Sequence, residues 1–379
     1  MPRTENGSYI GSRVFTTSSS AAGVFTSKSQ YVANYSGNWP RSGNIFVVLG
    51  HASNPPYVAA YPFSTNGGFG TKISDPSTTP AGIGNGVNFS SDGRYVAVAH
   101  AITPFISTYP WSTSGFGSKF SDPATLPTST GDSVDFTDAV DAIAVGHATS
   151  PFLTVYPWSS SGYGTKFSNP ASLPPGECNG VDISGGYLTA ASTTTPYIVV
   201  YPFSSSTGFG VKYSNPGTLP SGAGNGIRFS NQRNYIALAH STDGISAYPW
   251  SDLGYGTKYT NPVQGPSGAG NGVDFSPSGD AVFLVNADNS GAKKYAIAYP
   301  WSSSGFGSYY TSVWIGSLLP NTGNSVKFHP DGNYVFAAHT GSPYISGFPW
   351  TSASGVGTKI ANPNTLPGGT GNAVDVKIV

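Results

Sequence analysis

Short apolar runs alternate along this chain with clusters of glycine, proline, serine and asparagine. In residues 84–123 this pattern predicts a first strand at Val87 to Phe89, a second from Tyr95 to His100, a third from Phe105 to Tyr109 and a fourth, outermost strand around Lys119 and Phe120. Apolar periodicity alone does not separate a buried strand from a helix. The dense turn residues leave no helix-length segment uninterrupted, so we interpret the runs as strands.

The same unit recurs seven times. An aromatic residue followed by proline and a second aromatic residue begins at Tyr61, Tyr109, Tyr156, Tyr201, Tyr248, Tyr299 and Phe348. A glycine followed by Asn or Asp places the polar residue at Asn85, Asp132, Asn179, Asn225, Asn271, Asn324 and Asn372. Both elements return at intervals of about 47 residues, which matches a four-stranded propeller blade. Residues 41–379 are therefore predicted to form an all-β, seven-bladed β-propeller.

The two repeated elements are out of phase at the ends of the chain. The first Tyr-Pro pair precedes the first Gly-Asn pair, whereas the last Gly-Asn pair runs into the final residues. The first blade thus lacks an inner strand, and one strand is left over at the C-terminus. We expect Val374 to Val379 to pair with the strand from Asn44 to Gly50, because this closes the ring and removes two open sheet edges.

The phrases NFSSDGRYVAVAH, DFSPSGDAVFLV and KFHPDGNYVFAAH resemble the inner-strand pattern of WD-repeat and YVTN-type β-propellers. The likeness covers roughly residues 41–379 and departs from WD repeats where YPW replaces the Trp-Asp ending. The YPWS and SNPxTLP repeats are similar to low-charge propeller proteins encoded by bacteriophages. That resemblance implies a protein of the virion.

Charge is sparse and balanced, since 17 basic residues face 17 acidic ones. No basic run is present that could follow a phosphate backbone, so nucleic-acid binding is not expected. The chain has neither a membrane-length apolar stretch nor the apolar segment of a signal peptide, so neither membrane insertion nor secretion is expected. Cys178 is the single cysteine, which excludes an internal disulfide and a multi-cysteine metal site. No cofactor is expected.

The second strand ends in histidine in five units, at His51, His100, His147, His240 and His339, and in Ser192 and Asn286 in the other two. A ring of imidazoles is compatible with metal binding or acid–base chemistry. Equivalent positions in different blades are too far apart to share one ion, and serine and asparagine are poor ligands for transition metals. We interpret the ring as structural, with buried imidazoles that tie adjacent blades.

The repeated Asn and Asp residues, among them Asn85, Asn225 and Asn271, precede the inner strand next to the propeller axis. One hypothesis is that they present amides to a sugar or an ion at one mouth of the channel. The alternative, which we favour, is that they bond to their own backbone in turns, as Asn and Asp after glycine often do.

Lysine recurs in six units where the outer strand is expected, at Lys72, Lys119, Lys166, Lys212, Lys258 and Lys359. A basic girdle for an anionic partner is one interpretation. Lysine also guards edge strands against aggregation, and the balanced net charge favours this second interpretation.

No catalytic constellation is recognisable, so an enzyme is not expected. Every Ser-rich turn is repeated in several blades, and Gly162 and Gly164 lack both the third glycine and the helix of a phosphate loop. Paired carboxylates contributed by different blades remain an alternative, which would favour a glycan hydrolase or lyase. The small number of acidic residues, several of them in repeated turns, speaks against it.

Two places break the repeat and are candidate interaction sites. The sixth blade is the longest and adds Lys293, Lys294, Tyr310 and Trp314, a combination typical of binding anchors. Residues 1–40 form a predicted N-terminal arm for assembly or attachment, which carries the aromatic residues Tyr9, Phe15, Tyr31 and Trp39. Flexible linkers rarely hold so many aromatic side chains.

These observations lead to an expected function. The first hypothesis is a non-enzymatic bacteriophage virion protein, decorating the capsid or associated with the tail, that contacts other virion proteins through its arm and is made in the host cytoplasm. The second is a carbohydrate-binding adhesin or lectin for host surface glycans. The first rests on the phage resemblance, the low charge and the arm, and the second on Trp and Tyr side chains at the channel mouth or in blade six. The fold alone decides neither, because a propeller hosts many functions.

Overall fold

A computed structural model describes residues 43–266, 268–287, 295–311 and 319–379, which form seven antiparallel four-stranded sheets. The innermost strands are β28 (Gly371–Ile378), β4 (Gly84–Phe89), β8 (Gly131–Phe136), β12 (Cys178–Ser184), β16 (Gly224–Phe229), β20 (Gly270–Phe275) and β24 (Gly323–Phe328). Each of them contacts the innermost strand of the two neighbouring sheets, so they make a closed ring around an axis. The sheets are therefore the blades of a propeller.

The other strands follow outward in each blade. The second strands are β1 (Ile45–His51), β5 (Tyr95–His100), β9 (Ala142–His147), β13 (Tyr187–Ser192), β17 (Tyr235–His240), β21 (Ala281–Asn286) and β25 (Tyr334–His339). The third strands are β2 (Val58–Ser64), β6 (Ile106–Ser112), β10 (Leu153–Ser159), β14 (Ile198–Ser204), β18 (Gly244–Ser251), β22 (Ala296–Ser302) and β26 (Ile345–Thr351). The outermost strands are β3 (Gly68–Phe69), β7 (Gly115–Phe116), β11 (Gly162–Tyr163), β15 (Gly208–Phe209), β19 (Gly254–Tyr255), β23 (Gly305–Phe306) and β27 (Gly355–Val356). We number the blades 1 to 7 in the order of their second strands.

The ring closes as the sequence predicts. Strand β28 from the C-terminus is the inner strand of blade 1, with Ile378 opposite Ile45 and Val374 opposite Leu49. Asn44 and Val379 exchange two backbone hydrogen bonds of 3.1 and 2.9 Å beyond the end of this ladder. Both ends of the propeller are thereby held in one sheet, which leaves blade 1 without an open inner edge.

The position of the outermost strand is the main correction to the predicted blade. It comprises two residues, such as Gly115 and Phe116, and lies before the predicted Lys119 and Phe120. Both Lys119 and Phe120 follow it in an irregular segment, in which the Phe120 amide still donates to Thr108 O at 2.9 Å. A strand this short offers little edge for pairing, so the lysines are not needed as guards on a strand.

Five of the six lysines, Lys72, Lys119, Lys166, Lys212 and Lys258, instead bind side chains three residues further along the chain. Lys119 pairs with Asp122 and Lys72 with Asp75, while Lys212 Nζ lies 2.8 Å from Asn215 Oδ1. These bonds fix the irregular segment locally and do not form a free basic girdle.

The core lies between neighbouring blades. Trp111 of blade 2 packs edge-on against Phe89 of its own blade and Phe46 of blade 1, with ring centroids 5.3 and 5.2 Å apart. The repeated tyrosine lies beside it, and Tyr109 donates from its hydroxyl to Thr78 O at 2.9 Å in the segment that connects the two blades. The Tyr-Pro-aromatic element therefore holds blades together through both apolar area and a partly buried hydrogen bond.

The histidine ring is buried, and the hydrogen bonds made by Nε2 stay within each blade. His147 Nδ1 also lies 3.3 Å from Thr128 Oγ1, in the segment that connects blades 2 and 3. His100 Nε2 lies 3.0 Å from Ser107 Oγ, and His147 Nε2 lies 3.0 Å from Thr154 Oγ1. Each hydroxyl belongs to the third strand of the same blade, so these bonds join two strands of one blade. The expectation that they tie adjacent blades is therefore wrong for these bonds. Burial lowers the pKa of His100 to about 4, which keeps the imidazole neutral near pH 7.

Neither metal clusters nor membrane-spanning helices are found in the described part of the chain. No group of three or more His, Cys, Asp or Glu side chains within residues 43–266, 268–287, 295–311 and 319–379 is arranged to hold a metal ion. Over the same ranges, no helix has the length and apolar character to cross a membrane.

Candidate active site in the axial channel

The seven innermost strands approach each other so closely at the axis that small residues are required between them. The positions concerned are Gly86, Ser133, Gly180, Gly226, Gly272, Ser325 and Ala373. A Cβ atom on Gly86 would lie 2.8 Å from the Cα of Ser133 on the next blade. This close approach places the polar residues on either side of the small ring around one narrow axial cavity.

The first ring of polar residues consists of the repeated Asn and Asp at the start of each inner strand. Six asparagines each donate from Nδ2 to a backbone carbonyl on the next blade. The carbonyl belongs to the glycine that directly precedes the equivalent Asn or Asp of that blade. The pairs are Asn85 to Gly131, Asn179 to Gly224, Asn225 to Gly270, Asn271 to Gly323, Asn324 to Gly371 and Asn372 to Gly84, at 2.8 to 3.1 Å. The sequence analysis expected bonds to their own backbone in turns. The structure instead places them within strands, where they tie adjacent blades.

Asp132 takes the seventh place in this ring and breaks its pattern. An ionised carboxylate cannot donate a hydrogen bond, and Asp132 Oδ2 is buried without a hydrogen-bond partner. The residue of the next blade that corresponds to the accepting glycines is Cys178. Burial, with a smaller contribution from the charge of Glu177, raises the pKa of Asp132 to about 7. Asp132 can therefore accept and release a proton near neutral pH.

The second ring lies three residues further along each inner strand. Its members are Asn88, Asp135, Asp182, Arg228, Asp274, Lys327 and Asp375. Unlike the first ring, it mixes four carboxylates, two cations and one amide. The four carboxylates are at least nine-tenths buried, with Asp182 the most exposed at 8%.

Each of the four carboxylates ties its blade to the next. Asp375 Oδ2 accepts from the Phe89 amide at 2.7 Å, and Asp274 Oδ2 accepts from the Phe328 amide at 2.8 Å. Asp135 and Asp182 accept in the same way from Ile183 N and Phe229 N, at 3.0 and 2.5 Å. One carboxylate oxygen of each residue is thus used by the scaffold, and in Asp135 the second oxygen also accepts a hydrogen bond, from the Phe136 amide at 3.1 Å.

Arg228 crosses the channel between these carboxylates. Its Nη1 lies 4.0 Å from Asp135 Oδ2, two blades away, and its Nε lies 4.0 Å from Asp274 Oδ1 on the next blade. Burial opposes the charge of Arg228, but the carboxylates of Asp182 and then Asp135 outweigh it and hold its pKa above the usual value. The guanidinium group therefore stays charged at the centre of the second ring.

Burial also affects the acids around Arg228. It raises the pKa of Asp135, to which the nearby charge of Asp182 adds, while Arg228 opposes the increase. Burial raises the pKa of Asp274 as well, against the charges of Lys327 and Arg228. Perturbed acids grouped beside a cation in a cavity are a recognised mark of a functional site.

An open cavity of about 110 Å³ lies on the axis beside the first ring. Its rim is formed by six members of the first ring, including Asp132, and its wall by the small residues and the valine or isoleucine that follows each of them. Arg228 also lines it. The cavity thus combines a proton-exchanging carboxylate with a cation that can stabilise negative charge on a ligand, which is a minimal set for hydrolysis at a carbonyl carbon.

The interaction candidates from the sequence analysis fall mainly outside the described residues. This is the case for Tyr9, Phe15, Tyr31, Trp39, Lys293, Lys294 and Trp314, so their predicted roles and the arm at residues 1–40 stay predictions. Tyr310 is described and is 9% exposed, with its ring 5.1 Å from that of Trp350 and its hydroxyl donating to Ser352 O at 2.8 Å. It occupies the place of Phe120 in blade 2 and belongs to the repeat, not to its interruption.

Sequence reasoning passed over the second ring, although a signal was present. The residues three positions after each repeated Asn or Asp are N, D, D, R, D, K and D in chain order. This is the one inner-strand position at which the charge of the side chain changes sign between blades. The sequence analysis discounted the acids as members of repeated turns. Four of them, however, are buried in the channel.

Comparison with solved structures gives the same architecture. A Bacteroides fragilis protein described as a candidate 6-phosphogluconolactonase matches with a TM-score of 0.69 and 14% identity, over 90% of this chain and 100% of that one. The periplasmic gluconolactonase of Pseudomonas aeruginosa matches with a TM-score of 0.68 and 15% identity, over 89% of this chain and 99% of that one. No protein-family model and no curated protein matches the sequence.

The same fold also occurs in proteins of another kind. A chain of the Mitotic Checkpoint Complex matches with a TM-score of 0.54 and 13% identity, over 74% of this chain and 80% of that one. At these identities the likeness shows the seven-bladed propeller fold alone. It does not extend to the finer resemblance to WD repeats or to bacteriophage propellers.

The expected function needs correction. The sequence analysis predicted a non-enzymatic virion protein of a bacteriophage, with a glycan-binding adhesin as the alternative. The similar propellers described above include proteins named as lactonases and no virion protein, and the channel holds an ionisable cluster of the kind that the sequence analysis looked for and did not find. The prediction that this chain is not an enzyme is wrong on the same grounds.

Proposed function

We propose that this chain is a hydrolase that opens sugar lactones in its axial cavity. The observation that carries the proposal is Asp132. Six blades place an amide at this position and use it to bond the next blade, whereas blade 3 places an acid there whose Oδ2 is buried without a hydrogen-bond partner. Asp132 gives up the bond to the next blade and has a pKa raised to about 7, and it lies in a cavity that Arg228 also lines. These properties favour a catalytic role for Asp132 over a structural one. The names of the similar lactonase propellers support the choice of reaction.

The two charged groups of the cavity have complementary roles in this reaction. Ionised Asp132 accepts a proton from water as the water oxygen attacks the lactone carbonyl carbon. The guanidinium group of Arg228 stabilises the negative charge that develops on the carbonyl oxygen. When the ring C–O bond breaks, the proton passes from Asp132 to the departing oxygen, and the product is the open hydroxy acid.

The test is the rate of opening of D-glucono-1,5-lactone, followed by proton release with the spontaneous rate subtracted. We expect Asp132→Asn to lower the catalysed rate by about 100-fold or more, the usual contribution of a general base. Asn is the residue of six other blades at this position, so the variant is expected to fold. In the unaltered protein, the rate should rise with pH through about 7, where Asp132 ionises.

Asp122→Asn is the matched control, because it makes the same chemical change in the outer segment of blade 2, where Asp122 pairs with Lys119. It should leave the rate and its pH dependence unchanged. Full activity of the Asp132→Asn variant would contradict the role of Asp132. Absence of any lactone opening by the unaltered protein would contradict the proposed function itself.

A further inference from the structure

We propose that the cavity accepts lactones without a negative charge and discriminates against their phosphate esters. This inference rests on the proposed function and adds the class of substrate. The charges of the second ring and the hydrogen-bonding groups of the first ring support it.

The second ring has an excess of negative groups. Four carboxylic acids accompany Arg228 and Lys327, so acidic groups outnumber basic groups in this ring by two. Asp132 adds a further acid at the rim, with Glu177 close enough to raise its pKa. A phosphate ester would bring up to two more negative charges into this low-dielectric space, where like charges repel strongly.

The cations of the second ring already face carboxylates. Arg228 lies 4.0 Å from both Asp135 and Asp274, and Lys327 Nζ lies 4.0 Å from Asp375 Oδ1. To bind a phosphate group, either cation would have to leave a buried carboxylate without its counter-charge, which is costly. A transient oxyanion at a single carbonyl oxygen does not require this, because Arg228 can stay where it is.

The first ring suits hydroxyl groups. Each of its six amides gives one Nδ2 hydrogen to the next blade, as Asn271 does to Gly323 O at 2.8 Å. Asn179 Nδ2 also lies 3.4 Å from Asn225 Oδ1. The amide oxygens of Asn85, Asn271 and Asn372 and one hydrogen of each amide remain, so the rim offers both acceptors and donors. Sugar hydroxyl groups can use both kinds, whereas an ionised phosphate oxygen is an acceptor and meets unfavourable contacts at the amide oxygens and at Asp132.

The experiment compares kcat/KM for D-glucono-1,5-lactone and for its 6-phosphate, measured by proton release under the same conditions. We expect the uncharged lactone to be preferred by about tenfold or more, which corresponds to about 1.4 kcal/mol in the activation barrier. Added salt should reduce the preference, because it screens the repulsion at the open mouth of the cavity.

A variant tests whether the second ring causes the preference. Asp182→Asn removes one negative charge, and Asn88 already occupies the equivalent place in blade 2, so this ring tolerates an amide. The preference should narrow severalfold in Asp182→Asn and stay unchanged in Asp122→Asn.

The possible failures are distinct. If the phosphorylated lactone is opened as fast or faster, the inference about charge is overturned and the lactonase proposal stands. If Asp182→Asn leaves the preference unchanged, the second ring is not its cause. If neither lactone is opened, the proposed function fails and the inference fails with it.

Discussion

The two polar rings of the channel use the same strands in different ways. In the first ring, six of the seven blades carry asparagine and make one and the same bond to the next blade. In the second ring, the blades carry acids, bases and an amide at equivalent positions. A position that every blade needs for its own geometry is expected to be uniform. A position that differs from blade to blade is expected to serve something other than the blade itself. In this protein it groups charges of both signs at the axis, and its Arg228 lines the cavity.

The largest expected effect tests the charge balance of the second ring. Arg228→Met keeps the length of the side chain but leaves Asp135 and Asp274 without their counter-charge. Breaking a buried ion pair from one side costs about 3 to 5 kcal/mol, so the free energy of unfolding should fall by about that amount at pH 7. Urea denaturation measures it.

The control for this variant is Arg94→Met, because Arg94 pairs with Asp92 at the surface and its side chain is 69% exposed. A loss of stability in Arg94→Met as large as in Arg228→Met would contradict the account. At pH 4 the loss in Arg228→Met should be smaller, since acids with a raised pKa, such as Asp274, then take up protons.

The second prediction concerns a uniform ring outside the channel, that of the histidines. Burial lowers the pKa values of His100, His147, His240 and His339 to about 4. Between pH 6.5 and 4 the unfolded chain binds protons that the folded chain does not, so the free energy of unfolding should fall as the pH falls through this window.

His100→Asn tests this slope, because Asn286 takes the same place in blade 6. The loss of stability between pH 6.5 and 4 should be smaller in the variant than in the unaltered protein. Equal slopes would show that His100 does not contribute. Equilibrium unfolding at a series of pH values gives both slopes.

The smallest expected change completes the first ring. Asp132→Asn should raise the free energy of unfolding by about 1 to 2 kcal/mol at pH 8, because the amide can donate the bond that an ionised carboxylate cannot. The pKa of Asp132 is raised to about 7, so between about pH 4 and 7 the folded state of the unaltered protein binds a proton on Asp132 that the unfolded state does not bind. The stability that this proton contributes is lost as the pH rises through 7. The gain should therefore shrink at pH 5.

The reverse exchange is the matched control. Asn271→Asp introduces an acid where Asn271 Nδ2 donates to Gly323 O, and it should destabilise the protein at pH 8 more than at pH 5. If Asp132→Asn lowered the free energy of unfolding at pH 8, the claim that Asp132 replaces a stabilising amide of the first ring would be contradicted.

Much of the scaffold was predictable from repetition. The second strand at Tyr95 to His100 has the predicted bounds, and the closing pair of β1 and β28 follows from the phase of two repeated elements. The outermost strand was misplaced because its two residues, such as Gly115 and Phe116, are too few to leave an apolar pattern. The partner of His100 was also misjudged, since a buried donor can be satisfied within a blade or between blades, and the sequence does not distinguish the two.

The sequence by itself determined the number of blades, the strand order and the closure, because each of these depends on a local pattern that is read at fixed intervals. The cavity was decided by the tertiary structure. Asp135, Asp274 and Arg228 are far apart along the chain, and they meet because the innermost strands converge on one axis. Repetition places equivalent residues on a ring, and charges that differ between blades interact at its centre, where burial makes their interaction strong.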